Sequence, residues 1–272
     1  MVAAHTIVQC SRLIDGGCQA SMPDMMKIGS VTGVPPTLGS LLSEGPVSLF
    51  LDFDGTLVEL APGPDAIEPK AGLADAIAEL ANRLDGRCAI VSGRGLDDIA
   101  THIGPLPVAG AGSHGSDIRN AAGQQLGEAA RGLPAAIERQ LKAYAAQNAL
   151  NYEDKPHGGA LHYRSNPDAG PAAHAFAESL AASHGWAAQS GKCVVEIVAK
   201  SANKGSAVET FLREVPFAGS RPFFVGDDLT DEAGFAACIQ AGGAGILVGE
   251  IRETSAAYRL PDVNSVHEWL HL

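Results

Sequence analysis

Two rhythms of apolar residues alternate along most of the chain. "VSLFLDF", starting at Val47, is a short unbroken apolar run, as suits a strand buried on both faces. "AGLADAIAELANRL" (Ala71–Leu84) places Leu73, Ile77, Leu80 and Leu84 on one helical stripe. "GRCAIVSGR" reads as a strand and turn, "GLDDIATHI" as a helix, and "LPVAGAGSHG" as another strand. Strand–helix–strand alternation of this kind predicts an α/β fold with a doubly wound, Rossmann-like parallel sheet. Such sheets bind ligands beyond the carboxyl ends of their strands.

The rhythm changes in the middle of the chain. "PAAIERQLKAYAAQNAL" (Pro134–Leu150) predicts a helix opening on proline, a favoured first-turn residue. "GALHYRS" and "GKCVVEIV" read as strands and "PAAHAFAESLAASHG" as a helix; with "NYEDK" they suggest a small α+β unit. Its strands alternate polar and apolar, so one sheet face is expected to be covered and one open. The doubly wound pattern then resumes with "NKGSAVETFLREV" (helix), "RPFFVGDD" (strand), "DEAGFAACIQ" (helix), "AGILVG" (strand) and "SVHEWLHL" (helix). The expected organisation is a core of residues 45–116 and 196–272, an inserted α+β cap of residues 117–195, and a disordered extension of residues 1–44. The extension is rich in Gly, Ser and Pro, as in "GSVTGVPPTLGS".

Charge narrows the function. With 19 Lys and Arg against 31 Asp and Glu, the net charge is −12. That argues against a nucleic-acid partner, which needs a basic footprint. A small anionic substrate stays open, because a bound cation and a few local basic groups can outweigh the global field. No apolar run approaches the ~18 residues of a membrane span, and the first 45 residues lack a secretory pattern. The five cysteines are odd in number, without a CxxC motif, and Cys88, Cys193 and Cys238 read as small apolar residues. A reducing, cytoplasmic location is therefore expected.

Four polar signals stand out. Asp52 and Asp54, in "FLDFDGTL", share a face because strand side chains alternate with period two. Carboxylates this close repel, so they call for a cation between them or for one to be protonated. Gly55 permits a sharp turn, although Asp is also an ordinary turn former. "VSGR" (Val91–Arg94) offers the Ser92 hydroxyl, the Gly93 amide and the Arg94 guanidinium to a phosphate oxygen, or simply a helix cap at Ser92. In "NKGS", Lys204 stands at a helix start, where an anion is favoured; a solvated lysine is the plainer alternative. "GDDLTDE" places Asp227, Asp228 and Asp231 at a strand end, which suits Mg²⁺, while acids in a first helical turn also complement its dipole.

All four signals fall at carboxyl ends of strands, in the order DxDGT, S, K, GDDxxxD. From about residue 47 to the end, this arrangement resembles the haloacid dehalogenase superfamily of phosphotransferases. The resemblance implies that Asp52 attacks phosphorus to form an aspartyl-phosphate. It implies that Asp54 protonates the leaving oxygen and then activates water, starting from a protonated form that its acidic surroundings favour. Mg²⁺ would be held by Asp52, the Asp54 backbone carbonyl and Asp227, with Asp228 and Asp231 in auxiliary contacts. Ser92 and Lys204 would neutralise the phosphoryl group and Thr56 would help to place it.

A narrower resemblance, over about 225 residues, rests on "FLDFDGTLVELAP", "GSHG", "LHYR", "GKCVVEI", "NKG" and "GDDLTDE". Together these look like trehalose-6-phosphate phosphatases, especially the bacterial form. His162 and Arg164 would share one cap-strand face, as would Lys192 and Glu196. Such a face can hydrogen-bond sugar hydroxyls, or it can simply be solvated. The resemblance implies that Lys192 and Glu196 grip the distal glucose. It also implies that His114 and Arg119, near the hinge, contact sugar or phosphate. "AKSANKG" departs from relatives that carry an aromatic or charged residue before the lysine loop. The resulting expectation is a monomeric Mg²⁺-dependent phosphatase whose cap excludes water and selects the sugar. A phosphatase for another sugar phosphate, such as sucrose 6-phosphate, is the alternative. A receiver domain would have neither DxDGT nor a cap of about 80 residues. A silent sugar-phosphate binding module would have lost Asp52 or Asp54.

Overall fold

The computed structural model describes residues 33–61, 66–127, 132–155, 157–191, 193–200 and 202–272. Its strands are β1 (Val47–Leu51), β2 (Cys88–Val91), β3 (Ala109–Gly112), β4 (Asp117–Arg119), β5 (Asn151–Lys155), β6 (Gly158–His162), β7 (Trp186–Gly191), β8 (Val194–Ala199), β9 (Arg221–Gly226), β10 (Ala244–Val248) and β11 (Tyr258–Leu260). Its helices are α1 (Leu38–Ser43), α2 (Leu73–Arg83), α3 (Leu96–Ile103), α4 (Ala135–Gln147), α5 (Gly170–His184), α6 (Lys204–Leu212), α7 (Glu232–Gln240) and α8 (Val263–Leu270).

Seven strands form the main sheet in the order β11-β10-β9-β1-β2-β3-β4. Every pairing in it is parallel except β3–β4. β1 lies between β9 and β2, where the strand order reverses, so loops diverge on either side of its carboxyl end and open a crevice there. Alternation along β1 divides the core between the two sheet faces. Leu49 and Leu51 pack with Ile77, Leu80 and Val266. Phe50 packs on the other face with Phe211, Phe217 and Phe224, its ring centroid 5.6 Å from that of Phe217. Burying a side chain of this size contributes about 1.5–3 kcal/mol.

The second sheet has the order β5-β6-β8-β7 and is antiparallel throughout. Leu161, Val195 and Ile197 lie on one face, packed against Ile137, Leu141, Ala173 and Ala177 of α4 and α5. The other face carries the charged side chains. The fold is thus α/β with an added antiparallel unit.

Element boundaries depart from the sequence reading in three places. Residues 33–44 are not an irregular tail: Leu38 and Leu41 of α1 are buried in the main core, and Trp269 Nε1 donates to the Pro36 carbonyl at 2.8 Å. The Gly and Pro content masked an apolar i, i+3, i+4 spacing at Leu38, Leu41 and Leu42. Residues 1–32 of the expected extension lie outside the described residues. β4 pairs with β3 in the main sheet, so residues 117–119 are not part of the inserted unit. β8 runs unbroken to Ala199, so the second sheet extends past residue 195. β4 has only three residues, and neither it nor the end of β8 gives a compositional signal at its boundary.

Candidate active site

β1 delivers Asp52 to the crevice, its amide donating to the Val225 carbonyl at 2.9 Å. The chain then curls, and the Leu57 and Val58 amides both donate to the Phe53 carbonyl, at 2.9 and 3.0 Å. Gly55 has φ 76°, and a Cβ there would overlap the Asp227 carboxylate. Glycine alone permits this approach of backbone to acid. From α8, His267 Nε2 donates to the Leu57 carbonyl at 2.8 Å and fastens the curl from behind.

α6 places Lys204 opposite. Asn203 caps that helix, accepting from the Ser206 amide at 2.9 Å, so the chain enters the helix at a fixed angle. Lys204 is 2% exposed, and its Nζ lies 2.9 Å from Asp52 Oδ1 and 2.6 Å from Asp231 Oδ1. Burial opposes its charge, but Asp231 and Asp52 outweigh burial and hold the ammonium above its ordinary range. Asp52, Asp227 and Asp231 each bring a carboxylate oxygen into one cluster, all within 4.8 Å of one another. Burial first, and then Asp231, push Asp52 well above the usual carboxylate range against the pull of Lys204. Burial and Asp231 likewise raise Asp227 to about 7.

Three carboxylates facing one ammonium leave two negative charges uncompensated. Asp227 Oδ1 is buried without a hydrogen-bond partner. An all-oxygen donor set with that charge and an orphaned carboxylate oxygen fits a divalent cation. Asp231 belongs to this cluster and Asp228 does not. Asp228 is exposed and caps the following turn, its Oδ1 accepting from the Leu229 amide at 2.6 Å. Asp228 was expected among the metal contacts; adjacent acids on extended backbone diverge, so one of the pair turns outward. Glu232, also in the acidic motif, braces the loop after β10 by accepting from Thr254 Oγ1 and the Ser255 amide.

β2 delivers the hydroxyl loop on the other flank. Ser92 is buried and its Oγ accepts from the Arg94 amide at 3.1 Å. Thr56 is buried with an unpartnered Oγ1. Arg94, expected to reach for phosphate, instead forks onto Asp54. Its Nε lies 2.7 Å from Asp54 Oδ2 and its Nη2 2.9 Å from Oδ1, while Nη1 holds Asp98 at 2.9 Å. Beyond Gly93 sits His114, whose φ of 56° follows Ser113 at 47°. Two consecutive left-handed non-glycine residues are strained. They hold the imidazole so close to Gly93 that a Cβ there would lie 2.7 Å from the ring.

His114 reaches the second sheet, with Nε2 3.4 Å from Glu196 Oε2. Glu196 Oε1 pairs with Lys155 Nζ at 2.5 Å, and His162 Nε2 pairs with Glu153 Oε2 at 2.7 Å. The register sets Glu153, Ala160, Glu196 and Gln189 in one row across β5, β6, β8 and β7. Burial alone would raise Glu196, but His114 and the Lys155 charge outweigh it and hold the carboxyl at about 2. Lys155, Glu153 and Gln189 were missed in the sequence. The E-x-K spacing in "NYEDK" carried the signal, since residues two apart share a strand face.

Two expected cap and hinge residues are placed differently, and a third lies outside the described residues. β6 ends at His162, so Arg164 sits exposed in the next turn and does not share the strand face. Arg119 is committed to the main domain, with Nη2 2.7 Å from Asp117 and Nη1 2.9 Å from Asp97. β8 begins at Val194, and Lys192 lies outside the described residues. Two surface hollows of about 430 and 180 Å³ contain none of the clustered acids.

A buried acid cluster with a lysine, at the switch point of a doubly wound sheet, defines a phosphoryl-transfer class of protein. Comparison with known proteins is more specific. The sequence model of the family described as trehalose-phosphatase matches residues 50–264. Trehalose-6-phosphate phosphatase of Escherichia coli (strain K12) is 37% identical over 231 residues, covering 82% of this chain and 85% of that protein. A probable trehalose-phosphate phosphatase of Sinorhizobium fredii is 40% identical over 205 residues, covering 74% of this chain and 77% of that protein. A crystal structure of a trehalose-6-phosphate phosphatase related protein superposes with TM-score 0.66 at 28% identity, covering 83% of this chain and 95% of that one. This chain belongs to the trehalose-phosphatase family. Among the described residues no helix is long and apolar enough to cross a membrane.

Proposed function

We infer that this chain hydrolyses trehalose 6-phosphate to trehalose and inorganic phosphate, the closing step of trehalose biosynthesis. The carrying observation is Asp52, held by Lys204 at the end of the central strand, with Asp54 two residues further on, in a chain of this family. Asp52 forms a bond to phosphorus as the ester P–O bond breaks, and Asp54 gives its proton to the departing sugar oxygen. Asp54 then takes a proton from water, whose oxygen bonds phosphorus and frees Asp52 as phosphate departs. Ser92, Thr56 and the Gly93 amide hold the phosphoryl oxygens, and Lys204 neutralises them.

Asp52 and Asp227, with the Asp54 carbonyl, would hold Mg²⁺, and Asp231 orients Lys204 against them. Bound there, the cation would favour the ionised carboxylates and neutralise charge building on the phosphoryl oxygens. The cap face reads the sugar. Glu196, Lys155, Glu153, His162 and Gln189 supply acceptors and donors for glucose hydroxyls, with Lys192 as a further donor, and His114 faces them from the core. We propose that the enzyme works as a cytoplasmic monomer on a small-molecule substrate.

The test is phosphate release from trehalose 6-phosphate, glucose 6-phosphate and sucrose 6-phosphate, with Mg²⁺ and with chelator. Release from the trehalose ester, abolished by chelator, is expected. Preference for sucrose 6-phosphate would leave the core chemistry standing and replace the substrate. Release that chelator leaves unchanged would overturn the metal reading.

A further inference from the structure

Asp54, read above as the proton shuttle, has both carboxylate oxygens in the Arg94 fork. In that arrangement neither oxygen is presented to a departing group. The guanidinium is itself placed with unusual redundancy. Its third nitrogen holds Asp98. The Arg94 amide donates to Ser92 Oγ, and the Arg94 carbonyl accepts from the Ser113 amide at 2.8 Å. The Arg94 side chain is 13% exposed. Paired, charge-assisted bonds of this kind fix orientation as well as adding energy.

We propose that Arg94 is the positioning residue for Asp54, a fixed pivot about which the shuttle turns. Asp54 takes up a proton from solvent, keeps one oxygen on Arg94 and rotates the protonated one towards the leaving oxygen; the ionised oxygen then takes a proton from water, and releasing that proton to solvent returns the carboxylate to the fork. Asp98 keeps the guanidinium still while this happens. The Ser92 hydroxyl loop and the shuttle therefore share one anchor, so phosphoryl group and proton are brought into register by a single residue. The proposal rests on the phosphatase reading and departs from the sequence expectation that Arg94 grips phosphate.

The experiment compares the Mg²⁺-loaded wild type with Arg94→Met, Arg94→Lys and Asp98→Asn. The substrates are trehalose 6-phosphate and 4-nitrophenyl phosphate, whose leaving group needs no proton, and rapid-quench measurement of the nitrophenolate burst reports formation of the aspartyl-phosphate. For Arg94→Met, kcat on the sugar ester is expected to fall about 100-fold with KM changed less than about 3-fold. The burst rate should stay within about 3-fold of wild type, because that step needs no acid. Arg94→Lys, with one donor group in place of a fork, should repeat this pattern more weakly. Asp98→Asn, which keeps the fork and loosens the anchor, should lower kcat on the sugar ester about 2- to 5-fold.

A rise in KM for both esters, with a slowed burst, would make Arg94 a phosphate ligand and overturn the proposal. Equal loss on both esters without a KM change, with the burst slowed as well, would make its role structural and would also overturn it. If Arg94→Met does not fold, Arg94→Lys and Asp98→Asn decide: unchanged kcat in both overturns the pivot. Failure of the wild type to release phosphate from trehalose 6-phosphate would instead strike the underlying functional reading.

Discussion

At the carboxyl end of β1, Asp52, Lys204 and Asp231 are almost wholly buried, in contact with one another and braced by backbone. Facing them, the open face of the second sheet carries Glu153, Lys155 and His162 in partial contact with solvent, with Glu196 buried between Lys155 and His114. The two surfaces obey different physics. In the first, like charges are forced together at a cost in stability, and the pushed-up Asp52 and Asp227 record it. In the second, Glu196 pairs with Lys155 and Glu153 with His162, partners that can be exchanged for hydroxyls. On the proposed function, chemistry uses the fixed arrangement, and sugar selection uses donors and acceptors that can rearrange on a ligand.

The sharpest way to separate the surfaces is Asp52→Asn. Phosphate release from sugar and aryl esters alike is expected to fall by about 10⁴ or more, since the nucleophile serves both. The thermal midpoint in chelator should not drop, because an amide relieves the repulsion that raises Asp52. A lower midpoint would mean that the cluster is not strained. Next in size is Lys204→Met, which leaves Asp52 and Asp231 buried without their counter-charge. Unfolding in chelator should show a loss of about 3–5 kcal/mol, and added Mg²⁺ should recover part of it.

The cap face gives smaller, pH-dependent effects. Glu196 is held at about 2, below its ordinary value of 4.5. A depressed carboxylate contributes stability that is fully present above the unfolded value and fades as pH falls through the folded one. Urea midpoints of wild type and Glu196→Gln should therefore differ most above about pH 5 and converge towards pH 2, the gap reflecting up to about 3 kcal/mol. A gap constant across that range would contradict the pairing with His114 and Lys155. Smallest is Asp228→Ala, which removes a turn cap. It should lower stability by about 1 kcal/mol and leave kcat on the sugar ester within about 3-fold of wild type. Abolished activity would return Asp228 to the metal site.

Much of the catalytic cluster was legible from spacing. Strand ends in a parallel sheet converge, and Asp52, Asp227 and Lys204 lie in one cluster, while Asp54 turns to Arg94 and Ser92 Oγ accepts from the Arg94 amide. What spacing could not give is the choice among neighbouring acids. Asp228 turns outward because neighbouring side chains on extended backbone diverge, and the helical turn Leu229–Asp231 brings Asp231 back to the cluster. Cap residues were half legible. Glu196 was found from its strand, but Lys155 and Glu153 needed the β5–β6–β8 register, which links positions more than 40 residues apart. Arg164 was misplaced because the alternation of "LHYR" continues one residue beyond the strand that it imitates. α1 was hidden by its glycines and prolines, although Leu38, Leu41 and Leu42 had the spacing to reveal it.

The division of labour is tested most directly by one ratio: kcat/KM on trehalose 6-phosphate divided by kcat/KM on 4-nitrophenyl phosphate, for wild type and Glu196→Ala with Mg²⁺. Loss of a charged hydrogen-bond partner for sugar should lower that ratio about 10- to 100-fold while aryl phosphate hydrolysis stays near wild type. An unchanged ratio, with both activities lowered together, would mean that the cap face serves the chemistry and does not read the sugar.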